Sequence, residues 1–546
     1  MESKELRVLI LSAGQINEEL SKIFGRIPSG LIPINGKPAI FRIIDKLLNE
    51  GIKNISITVG YKKEILEEII REQYKNLCDI QFIESNFEKP PGNSIKDSMN
   101  YCNEKGLLVI LGDTLIDNNL TELVNKGKNF VLTSNEFVNT ENWCVVTKNK
   151  GKLDEIFDKK ILESNEKYHA LVGCYFFNNV DLLKNSLDEF EDSERLEISS
   201  IIKKIKEQEE FNSETAYEWL DVGHLENYFS TKQFVLKTRY FNRLQFDDSG
   251  KNVIKTSTNN EKLINEINWY KQIPNEILDL VPKISDSSIM ENPFIKLEYI
   301  KHPTLSELWL YGEFSSDFWK EIINNLFIII QKFKKYNYRV TKQEYNSMYF
   351  QKTQDRINEI MKENEIFKEI FEKDFIFINS KKQKNWKLMK DEIKQKIDLM
   401  FNEDDNCLIH GDLYFANILY DSEKTNFKLI DPRGKWGQGI AGDIKYDIAK
   451  IRHSIVGGFD IITNGLYSAN YQGINKIEYN VFVSKNNQTI RNELDDIIEK
   501  NWKLDEIKMI EGLLFISMLP LHSDNLERQL ALFCVGIERL NEIFGV

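Results

Sequence analysis

The sequence predicts two consecutive domains: an α/β domain with a Rossmann-like, mostly parallel sheet, then an α+β domain with a small β-rich part and a larger helical part. Three observations support this prediction. In the first part of the chain, short apolar strand patterns alternate with helical patterns, which indicates βαβ units. In the second half, a hairpin pattern precedes long helical runs. At 546 residues the chain is also too long for a single hydrophobic core.

Composition and charge narrow the class of protein. The net charge of −13 argues against general nucleic-acid binding, because such proteins need basic patches. The six cysteines form no CxxC pair, so we expect neither a zinc site nor a disulfide framework. No signal peptide and no apolar run of membrane-spanning length is visible, so a cytoplasmic protein without membrane insertion is expected. Small molecules are the expected partners, with homo-oligomerisation left open.

The predicted elements of the first domain follow in order along the chain. They are the strand Leu6–Leu11, the helix Ala39–Asn49, the strand Ile55–Val59, a helix over about 62–73, and strands over 80–83 and 107–111. Ligands of parallel sheets bind at the carboxyl ends of the strands. Gly14, Gly60 and the segment after Ile110 should therefore face one crevice. Asp113, just past the last strand, is well placed there to hold a divalent metal.

Several segments, collinear over about residues 6–230, resemble the sugar-phosphate and phosphocholine nucleotidyltransferase family. They are Ala13-Gly14, the turn 33–38 that contains Lys37, Gly112-Asp113, the segment 92–95 and the segment 219–223. The resemblance implies that Asp113 and Asp221 hold Mg²⁺. It also implies that the nucleotide is contacted by Ala13, Gly14, Lys37, Asn93 and Ser94. Two carboxylates suit this chemistry, because a metal must offset the repulsion between an attacking phosphomonoester and the α-phosphate.

Two features depart from that family's pattern. The first loop reads Ala-Gly-Gln-Ile-Asn-Glu-Glu and lacks the usual extra glycines and Arg. Ser29 stands after Pro28, where the family has a Lys that would touch the transferred phosphate. Lys22, Arg26 and Lys37 are candidate substitutes, although none occupies the matching position. A retained fold without catalysis is the alternative, and the presence of both aspartates argues against it.

The most specific pattern of the second half lies in residues 407–419 and 427–434. It contains His410-Gly411-Asp412, Asn417 five residues after that Asp, and Asp431 at the end of the next apolar run. Phosphoryl transfer needs a carboxylate for the attacking hydroxyl and oxygen ligands for Mg²⁺. The order resembles the aminoglycoside phosphotransferase and choline kinase family, which has the protein-kinase-like fold. The resemblance implies that Asp412 is catalytic and that Asn417 and Asp431 hold the metal; two buried strands with polar turns are the plain alternative.

The resemblance also divides the chain. It implies a first domain of 1–235 and a kinase-like domain of 236–546, with an N-lobe over about 236–301 and a helical C-lobe over about 302–546. In this fold a Lys on the third strand binds the ATP phosphates, and Lys255 is the candidate for this catalytic and nucleotide-binding role. Glu266, eleven residues on, would pair with it. The segment 294–300 resembles the hinge that holds adenine, which makes Glu298 and Ile300 candidates for nucleotide binding.

Acceptor recognition is predicted from Arg433, just past the second metal ligand. Choline kinases usually carry an acidic and aromatic pair at this place. Arg433 is included among the predicted catalytic residues. Its guanidinium favours an acceptor with a carboxylate or phosphate. An Arg that bridges to a backbone carbonyl is an equally good alternative. Tyr349, Lys352 and Arg356 share one helix face, which fits either a solvated face or a substrate lid.

These patterns together predict a bifunctional enzyme. The second domain would phosphorylate a hydroxyl of a small metabolite with ATP and Mg²⁺. The first would join the phosphomonoester to a nucleoside monophosphate, giving a nucleotide-activated precursor for surface or capsular polysaccharide. CTP is the preferred second nucleotide, by analogy with cytidylyltransferases that accompany choline-type kinases. The alternatives are a single-activity kinase with a non-catalytic nucleotide-binding domain, a scaffold with two degenerate sites, and a kinase that acts on a drug.

Overall fold

The chain divides into two compact units. The computed structural model describes residues 5–75, 77–137, 139–162, 167–191, 193–236, 242–437, 439–482 and 487–545. The first unit comprises Met1–Val235 with Tyr311–Glu313, and the second comprises Leu236–Leu310 with Phe314–Val546. Residues 237–241, at the start of the predicted second domain, lie outside the described residues.

A nine-stranded sheet organises the first unit, in the order β5-β4-β1-β6-β11-β8-β12-β10-β9. The strands of this unit are β1 Leu6–Leu11, β2 Pro33–Ile34, β3 Lys37–Pro38, β4 Ile55–Val59, β5 Ile80–Glu84, β6 Gly106–Leu111, β7 Thr114–Ile116, β8 Phe130–Ser134, β9 Cys144–Asn149, β10 Lys152–Asp158, β11 His169–Phe177, β12 Asn212–Thr215 and β13 Trp219–Asp221. The helices are α1 Glu18–Phe24, α2 Ala39–Asn49, α3 Lys63–Tyr74, α4 Pro91–Ser98, α5 Leu120–Asn125, α6 Val180–Asp188, α7 Ile198–Lys206 and α8 Leu225–Val235.

The prediction of a mostly parallel sheet is correct for the first four strands of the sheet and for the pair β8–β12, but not for the rest of the sheet. Strands β5, β4, β1 and β6 run parallel, whereas β11 is antiparallel to both β6 and β8. Strands β9 and β10 are joined by Lys150-Gly151, which both have positive φ. A turn this short joins only antiparallel strands, because a parallel crossover needs a dozen residues or more. The strand–helix alternation that favours parallel pairing ends at β6.

Helix α2 shows how the pattern of the sequence forms the core. It begins directly after Pro38 and has apolar residues at Ile40, Ile43, Ile44 and Leu47. This spacing of three and four residues puts them on one face of a helix, and all four are buried. Burial of each side chain contributes about 1.5–3 kcal/mol.

The second unit begins with a four-stranded antiparallel sheet of order β14-β15-β17-β16. Its strands are β14 Asn242–Phe246, β15 Asn252–Ser257, β16 Ile284–Ser288 and β17 Phe294–Glu298, and helix α9 Asn260–Gln272 connects β15 to β16. Lys255 lies on the second strand of this sheet in chain order, not the third. The reason is that β14 and β15 form the first hairpin of the described sheet, with Asp248-Ser249-Gly250 in the turn between them.

The rest of the second unit is mainly helical. Its helices are α10 Leu305–Tyr311, α11 Ser316–Lys334, α12 Lys342–Asn346, α13 Lys352–Glu363, α14 Glu365–Glu372, α15 Trp386–Met400, α16 Ile444–Ile455, α17 Phe459–Thr463, α18 Asn487–Glu499, α19 Leu504–Ser517 and α20 Leu526–Phe544. The π-helical turn Ser347–Gln351 joins α12 to α13. None of the helices in the described ranges has the length and apolar character of a membrane span.

Short strands interrupt the predicted helical C-lobe. They are β18 Phe375–Ile378, β19 Lys381–Lys384, β20 Asn406–Leu408, β21 Ile418–Asp421, β22 Asn426–Leu429, β23 Ala441–Asp443, β24 Tyr467–Gly473 and β25 Lys476–Val481. Strands β19, β18, β25 and β24 form a sheet. The turns Asn379-Ser380 and Ile474-Asn475 both have positive φ, which fits tight hairpins. These hairpins were not predicted, because neither two-residue turn contains a glycine, and Gly473 next to the second turn is the last residue of β24.

Candidate active sites

Three strand ends meet in the first unit, after β1, β4 and β6. The backbone N–H of Tyr61 donates to the carbonyl of Ala13 over 2.8 Å, and Gly112 N–H donates to Leu11 over 2.8 Å. A Cβ on Gly60 would lie 2.6 Å from the Ser85 carbonyl oxygen, so only glycine allows this approach. The strand ends therefore lie together at the edge where the sequence analysis places the crevice.

Asp113 and Asp221 converge at this edge. Strand β13 pairs with β7 so that Asp221 lies opposite Thr114, next to Asp113. A Cβ on Gly223 would be 3.0 Å from Asp113 Oδ2 and 3.4 Å from Asp221 Oδ1, so both carboxylates face one point. Desolvation and the neighbouring charge of Asp221 raise the pKa of Asp113 to about 6.

Two residues that the sequence analysis did not select orient Asp221. His224 Nδ1 and Asn227 Nδ2 each lie 2.8 Å from Asp221 Oδ2. The hydrogen bond to Asp221 raises the pKa of His224. His224 directly precedes α8 and Asn227 lies in its first turn, three and six positions after the aspartate. That spacing was the available signal, because the segment turns back over its own carboxylate.

The donor set of this crevice fits Mg²⁺. Two carboxylates are hard oxygen ligands, and Mg²⁺ commonly binds one or two of them together with water and substrate phosphates. Among the residues that the structure describes, no group of three or more His, Cys, Asp or Glu forms a metal cluster. A metal held by two carboxylates with its nucleotide is the arrangement that these residues suit.

Gly14 and Lys37, two of the predicted nucleotide-binding residues, lie in different surroundings. A Cβ on Gly14 would meet nothing within 4 Å, so the loop borders open space. The backbone N–H of Ser29 donates to the Gly14 carbonyl over 3.0 Å, which puts the departure from the family pattern directly on this loop. Lys37 forms an ion pair with Asp45, so its ammonium is engaged on helix α2. Among the described residues, Lys37 forms no ion pair or hydrogen bond with Asp113 or Asp221.

Asn93 and Ser94 lie on the first turn of α4 and are both buried. Asn93 Nδ2 donates to the Glu194 carbonyl over 3.0 Å, and Asn93 Oδ1 accepts from Leu196 N–H over 2.9 Å. Ser94 Oγ lies 2.9 Å from Ser85 Oγ, beside the close approach at Gly60. Ser94 is thus adjacent to the crevice, whereas the Asn93 amide ties α4 to the segment before α7.

In the second unit, one buried lysine joins two carboxylates. Lys255 Nζ lies 2.9 and 2.7 Å from the two oxygens of Glu266 and 2.9 Å from Asp431 Oδ1. Burial opposes the charge of Lys255, but Asp431 and Glu266 outweigh it and raise the pKa of Lys255. Three predicted site residues, Lys255, Glu266 and Asp431, are therefore joined through the Lys255 ammonium.

Asp447 binds the backbone of the loop that carries Asp412. Asp447 is fully buried and accepts from the backbone N–H groups of His410 and Gly411 over 2.7 and 2.8 Å. Asn417 Nδ2 donates to Asp412 Oδ2 over 3.2 Å and to its backbone oxygen over 3.0 Å. Asp412 itself is 37% exposed. The loop thus presents one accessible carboxylate on a braced backbone.

A short hairpin brings the two predicted metal ligands of this unit together. Ile418 on β21 pairs with Leu429 on β22, and Ile430 N–H donates to the Asn417 carbonyl over 3.0 Å. Asp431 follows with φ of 56°, a left-handed conformation that is uncommon for residues other than glycine. Such strain persists where the surroundings over-determine it, as at functional sites. An amide oxygen and a carboxylate suit Mg²⁺ with nucleotide phosphates.

The predicted hinge residues are not joined to this cluster by the contacts described. Glu298 N–H donates to the Lys283 carbonyl over 2.9 Å, and Glu298 lies opposite Asn252 on β15. Ile300 follows the end of β17 and is half-buried. The backbone amide of Glu298 is engaged within the sheet.

Arg433 lies against the Asp412 loop. Its backbone N–H donates to the His410 carbonyl over 2.9 Å. A Cβ on Gly411 would be 2.8 Å from Arg433 Cβ, so the close packing there requires glycine. Arg433 Nη1 donates to the Tyr446 hydroxyl over 3.3 Å. Among the described residues, the guanidinium contacts a phenol and not the backbone carbonyl that the alternative interpretation expected.

Comparison with known families bears on the first unit. Residues 8–238 match the family described as nucleotidyl transferase. This range contains Asp113, Asp221 and every other predicted site residue of the first crevice.

Individual relatives are similar over part of their length. The bifunctional protein GlmU of Methanococcus aeolicus is 30% identical over 234 residues, which are 42% of this chain and 54% of GlmU. D-glycero-alpha-D-manno-heptose 1-phosphate guanylyltransferase of Campylobacter jejuni is 26% identical over 157 residues, 28% of this chain and 69% of the relative. UTP–glucose-1-phosphate uridylyltransferase AglF of Haloferax volcanii is 23% identical over 179 residues, which are 32% of this chain and 72% of AglF.

The chain spans about half the length of the GlmU proteins that it matches. Among solved structures, HddC from Yersinia pseudotuberculosis complexed with GMP-PN has a TM-score of 0.34 and 17% identity, over 42% of this chain and 98% of that one.

Proposed function

We propose that this chain, whose first unit contains a nucleotidyl transferase domain with homologues among sugar-phosphate nucleotidyltransferases, is a bifunctional enzyme. The second unit phosphorylates a hydroxyl of a small metabolite with ATP. The first unit couples the resulting phosphomonoester to a nucleoside monophosphate and releases pyrophosphate. The product is a nucleotide-activated precursor for surface polysaccharide.

The nucleotidyl transfer step rests on the convergence of Asp113 and Asp221. These carboxylates would hold Mg²⁺, which supplies positive charge where a phosphomonoester meets the α-phosphate. His224 and Asn227 hold Asp221 Oδ2, so the second carboxylate is oriented before the substrate binds. The open edge at Gly14 leaves room for the nucleotide.

The kinase step rests on one observation: Lys255 contacts both Glu266 and Asp431, while Asp412 and Asn417 lie on the adjoining braced loop. Asn417 and Asp431 would hold Mg²⁺ on the ATP phosphates, and Lys255 would bind those phosphates. Asp412 would orient the acceptor hydroxyl and receive its proton. Its charge is maintained by Lys450, whose Nζ lies 2.9 Å from Asp412 Oδ1.

The nucleotide used by the first unit is proposed from analogy. CTP is our first choice, because cytidylyltransferases of the phosphocholine type accompany choline-type kinases. The names of two relatives specify guanylyl and uridylyl transfer, which favour GTP or UTP instead. The assay therefore compares all the nucleoside triphosphates.

Mass spectrometry of the products tests both steps in one experiment. The full chain is incubated with ATP, Mg²⁺, each second nucleotide and a panel of small alcohols, hydroxy acids and sugars. Asp412→Asn should form no phosphomonoester, yet still convert a supplied phosphomonoester with release of pyrophosphate. Asp113→Asn should accumulate the phosphomonoester.

Two exposed aspartates serve as matched controls, Asp404→Asn and Asp117→Asn. Both should behave like the wild type. If the wild type phosphorylates an alcohol but releases no pyrophosphate with any nucleotide, the single-activity kinase is correct. If neither product forms with any acceptor, the proposal is wrong.

A further inference from the structure

Three cationic side chains surround one buried tyrosine next to Asp412. Tyr446 lies on α16 and is 2% exposed. Lys352 Nζ is 3.3 Å from the Tyr446 hydroxyl and 5.3 Å from the centre of its ring. Arg433 Nη1 is 3.3 Å from the same hydroxyl. Lys450 follows on the same helix one turn later, beside the catalytic loop.

The positive charge of this cluster is only partly balanced. Lys450 pairs with Asp412. In the described ranges, no carboxylate forms an ion pair with Lys352 or Arg433. Burial, together with the charges of Arg433 and Lys450, lowers the pKa of Lys352 to about 8, although the Tyr446 phenol opposes this. Two neighbouring cations that share only a phenol repel each other, and an added anion would relieve that repulsion.

Separate elements of the second unit build the cluster. Lys352 begins α13, directly after the π-helical turn Ser347–Gln351, and such turns are frequent at functional sites. Tyr349 on that turn is buried and donates to Asp443 Oδ2 over 3.0 Å, which anchors the turn. Arg433 comes from the loop after Asp431. The helix face for which the sequence left open a solvated surface or a substrate lid is therefore packed against the unit at Tyr349 and Lys352, so the cluster is built from several elements.

We propose, on the basis of the kinase function above, that Lys352, Arg433 and Tyr446 bind an anionic group of the acceptor. The acceptor is then a small alcohol that carries a carboxylate or a phosphate. Its hydroxyl oxygen attacks the γ-phosphorus of ATP, the bond from that phosphorus to the β–γ bridging oxygen breaks, ADP leaves, and the hydroxyl proton passes to Asp412.

The geometry limits the acceptor's size and charge. Lys450 lies on the helical turn after Tyr446 and also reaches Asp412 Oδ1 at 2.9 Å, so the anion site and the catalytic carboxylate are close. A short molecule can therefore bridge them. A guanidinium and an ammonium together bind carboxylate or phosphate well. The same two cations repel an amine or quaternary ammonium, which is negative selection against choline-like acceptors.

Binding of probes of similar size and different charge tests the inference directly. Glycerol, glycerate, glycerol 3-phosphate and serinol share one carbon skeleton and differ in charge. Titration calorimetry of the full chain with ADP and Mg²⁺ should show at least one of the two anions binding about tenfold more tightly than glycerol, and serinol binding most weakly. Which anion binds better distinguishes carboxylate from phosphate. If glycerol or serinol binds as well as both anions, or neither anion binds, the inference is wrong.

A lysine variant with a matched control separates binding from folding. Lys352→Gln should weaken the preferred anion about tenfold, whereas Lys352→Arg should retain most of the affinity. Lys362→Gln removes an exposed lysine from the same helix and should change nothing. An unchanged affinity in Lys352→Gln would contradict the inference.

The kinase function can fail independently of this site. If an anion binds through Lys352 but ATP never phosphorylates it, the proposed function is wrong and the anion site stands. If ATP phosphorylates only neutral or cationic alcohols, the kinase stands and the anion site is wrong.

Discussion

Lys450 Nζ lies 2.9 Å from Asp412 Oδ1, at the centre of the second unit's candidate site. Partial desolvation would by itself raise the pKa of Asp412, but the charge and hydrogen bond of Lys450 outweigh it and lower that pKa. A carboxylate with a lowered pKa is a weak base. It suits phosphoryl transfer, in which positioning of the hydroxyl matters more than early proton removal.

Replacement of Lys450 by methionine tests this relationship. Lys450→Met keeps the length of the side chain but removes the charge that holds Asp412. We expect the kcat of alcohol phosphorylation to fall about 100-fold. Release of ADP and formation of the phosphorylated product both measure this kcat. Lys500→Met, an exposed lysine, is the control. A variant with wild-type kcat would show that Asp412 needs no such partner.

Asp447 should be important for stability as well as for the loop. Asp447→Ala leaves the N–H groups of His410 and Gly411 without their buried acceptor, so we expect a loss of about 3 kcal/mol in the free energy of unfolding. Asp447→Asn keeps one acceptor oxygen and should lose less. Urea unfolding followed by circular dichroism gives both values. Equal losses in the two variants would mean that the bonds to the loop are not the cause.

Gly223 should affect only nucleotidyl transfer. In Gly223→Ala the new Cβ would lie 3.0 Å from Asp113 Oδ2, so this carboxylate must shift by a few tenths of an ångström from its position beside Asp221. The Mg²⁺ concentration for half-maximal pyrophosphate release should rise about tenfold, with phosphorylation of the alcohol unchanged. Gly439→Ala, whose Cβ would meet nothing within 4 Å, is the control. An unaltered Mg²⁺ requirement would contradict the assignment of Asp113 and Asp221.

His453 predicts a loss of stability in acid. It is fully buried between the rings of Phe459 and Phe515, each 4.2 Å away, and burial with the charge of Lys450 lowers its pKa well below the usual value. The unfolded chain binds a proton near pH 6.5, whereas the folded chain does not. Stability is therefore complete above about pH 6.5 and decreases as the pH falls below it.

Because of the lowered pKa of His453, the free energy of unfolding should fall by about 1.4 kcal/mol between pH 7.5 and pH 5.5. His453→Leu removes it, so the unfolding free energy of the variant should fall less over this interval than that of the wild type. Urea titrations at the two pH values measure the difference. Parallel pH profiles for variant and wild type would show that His453 is protonated in the folded chain.

Local patterns predicted the parts that depend on neighbours in sequence. The strands β1 and β4 and the helix α2 follow from apolar periodicity, because burial of one face requires that spacing. The match of residues 8–238 to a nucleotidyl transferase family supports the interpretation of the first domain. The antiparallel part of the sheet was not predicted, because the sequence of a strand says little about the direction of a partner strand far along the chain.

By itself, the sequence determined the residue types for the two proposed phosphate chemistries: two aspartates for one site, and Lys255, Asp412, Asn417 and Asp431 for the other. The eleven-residue interval between Lys255 and Glu266 was readable, since a strand and the helix after it bring such residues together. Only the tertiary structure decided that Lys352 and Arg433 meet at Tyr446. These residues belong to separate elements, and their contact depends on how α13, α16 and the loop after Asp431 pack, which no local pattern encodes.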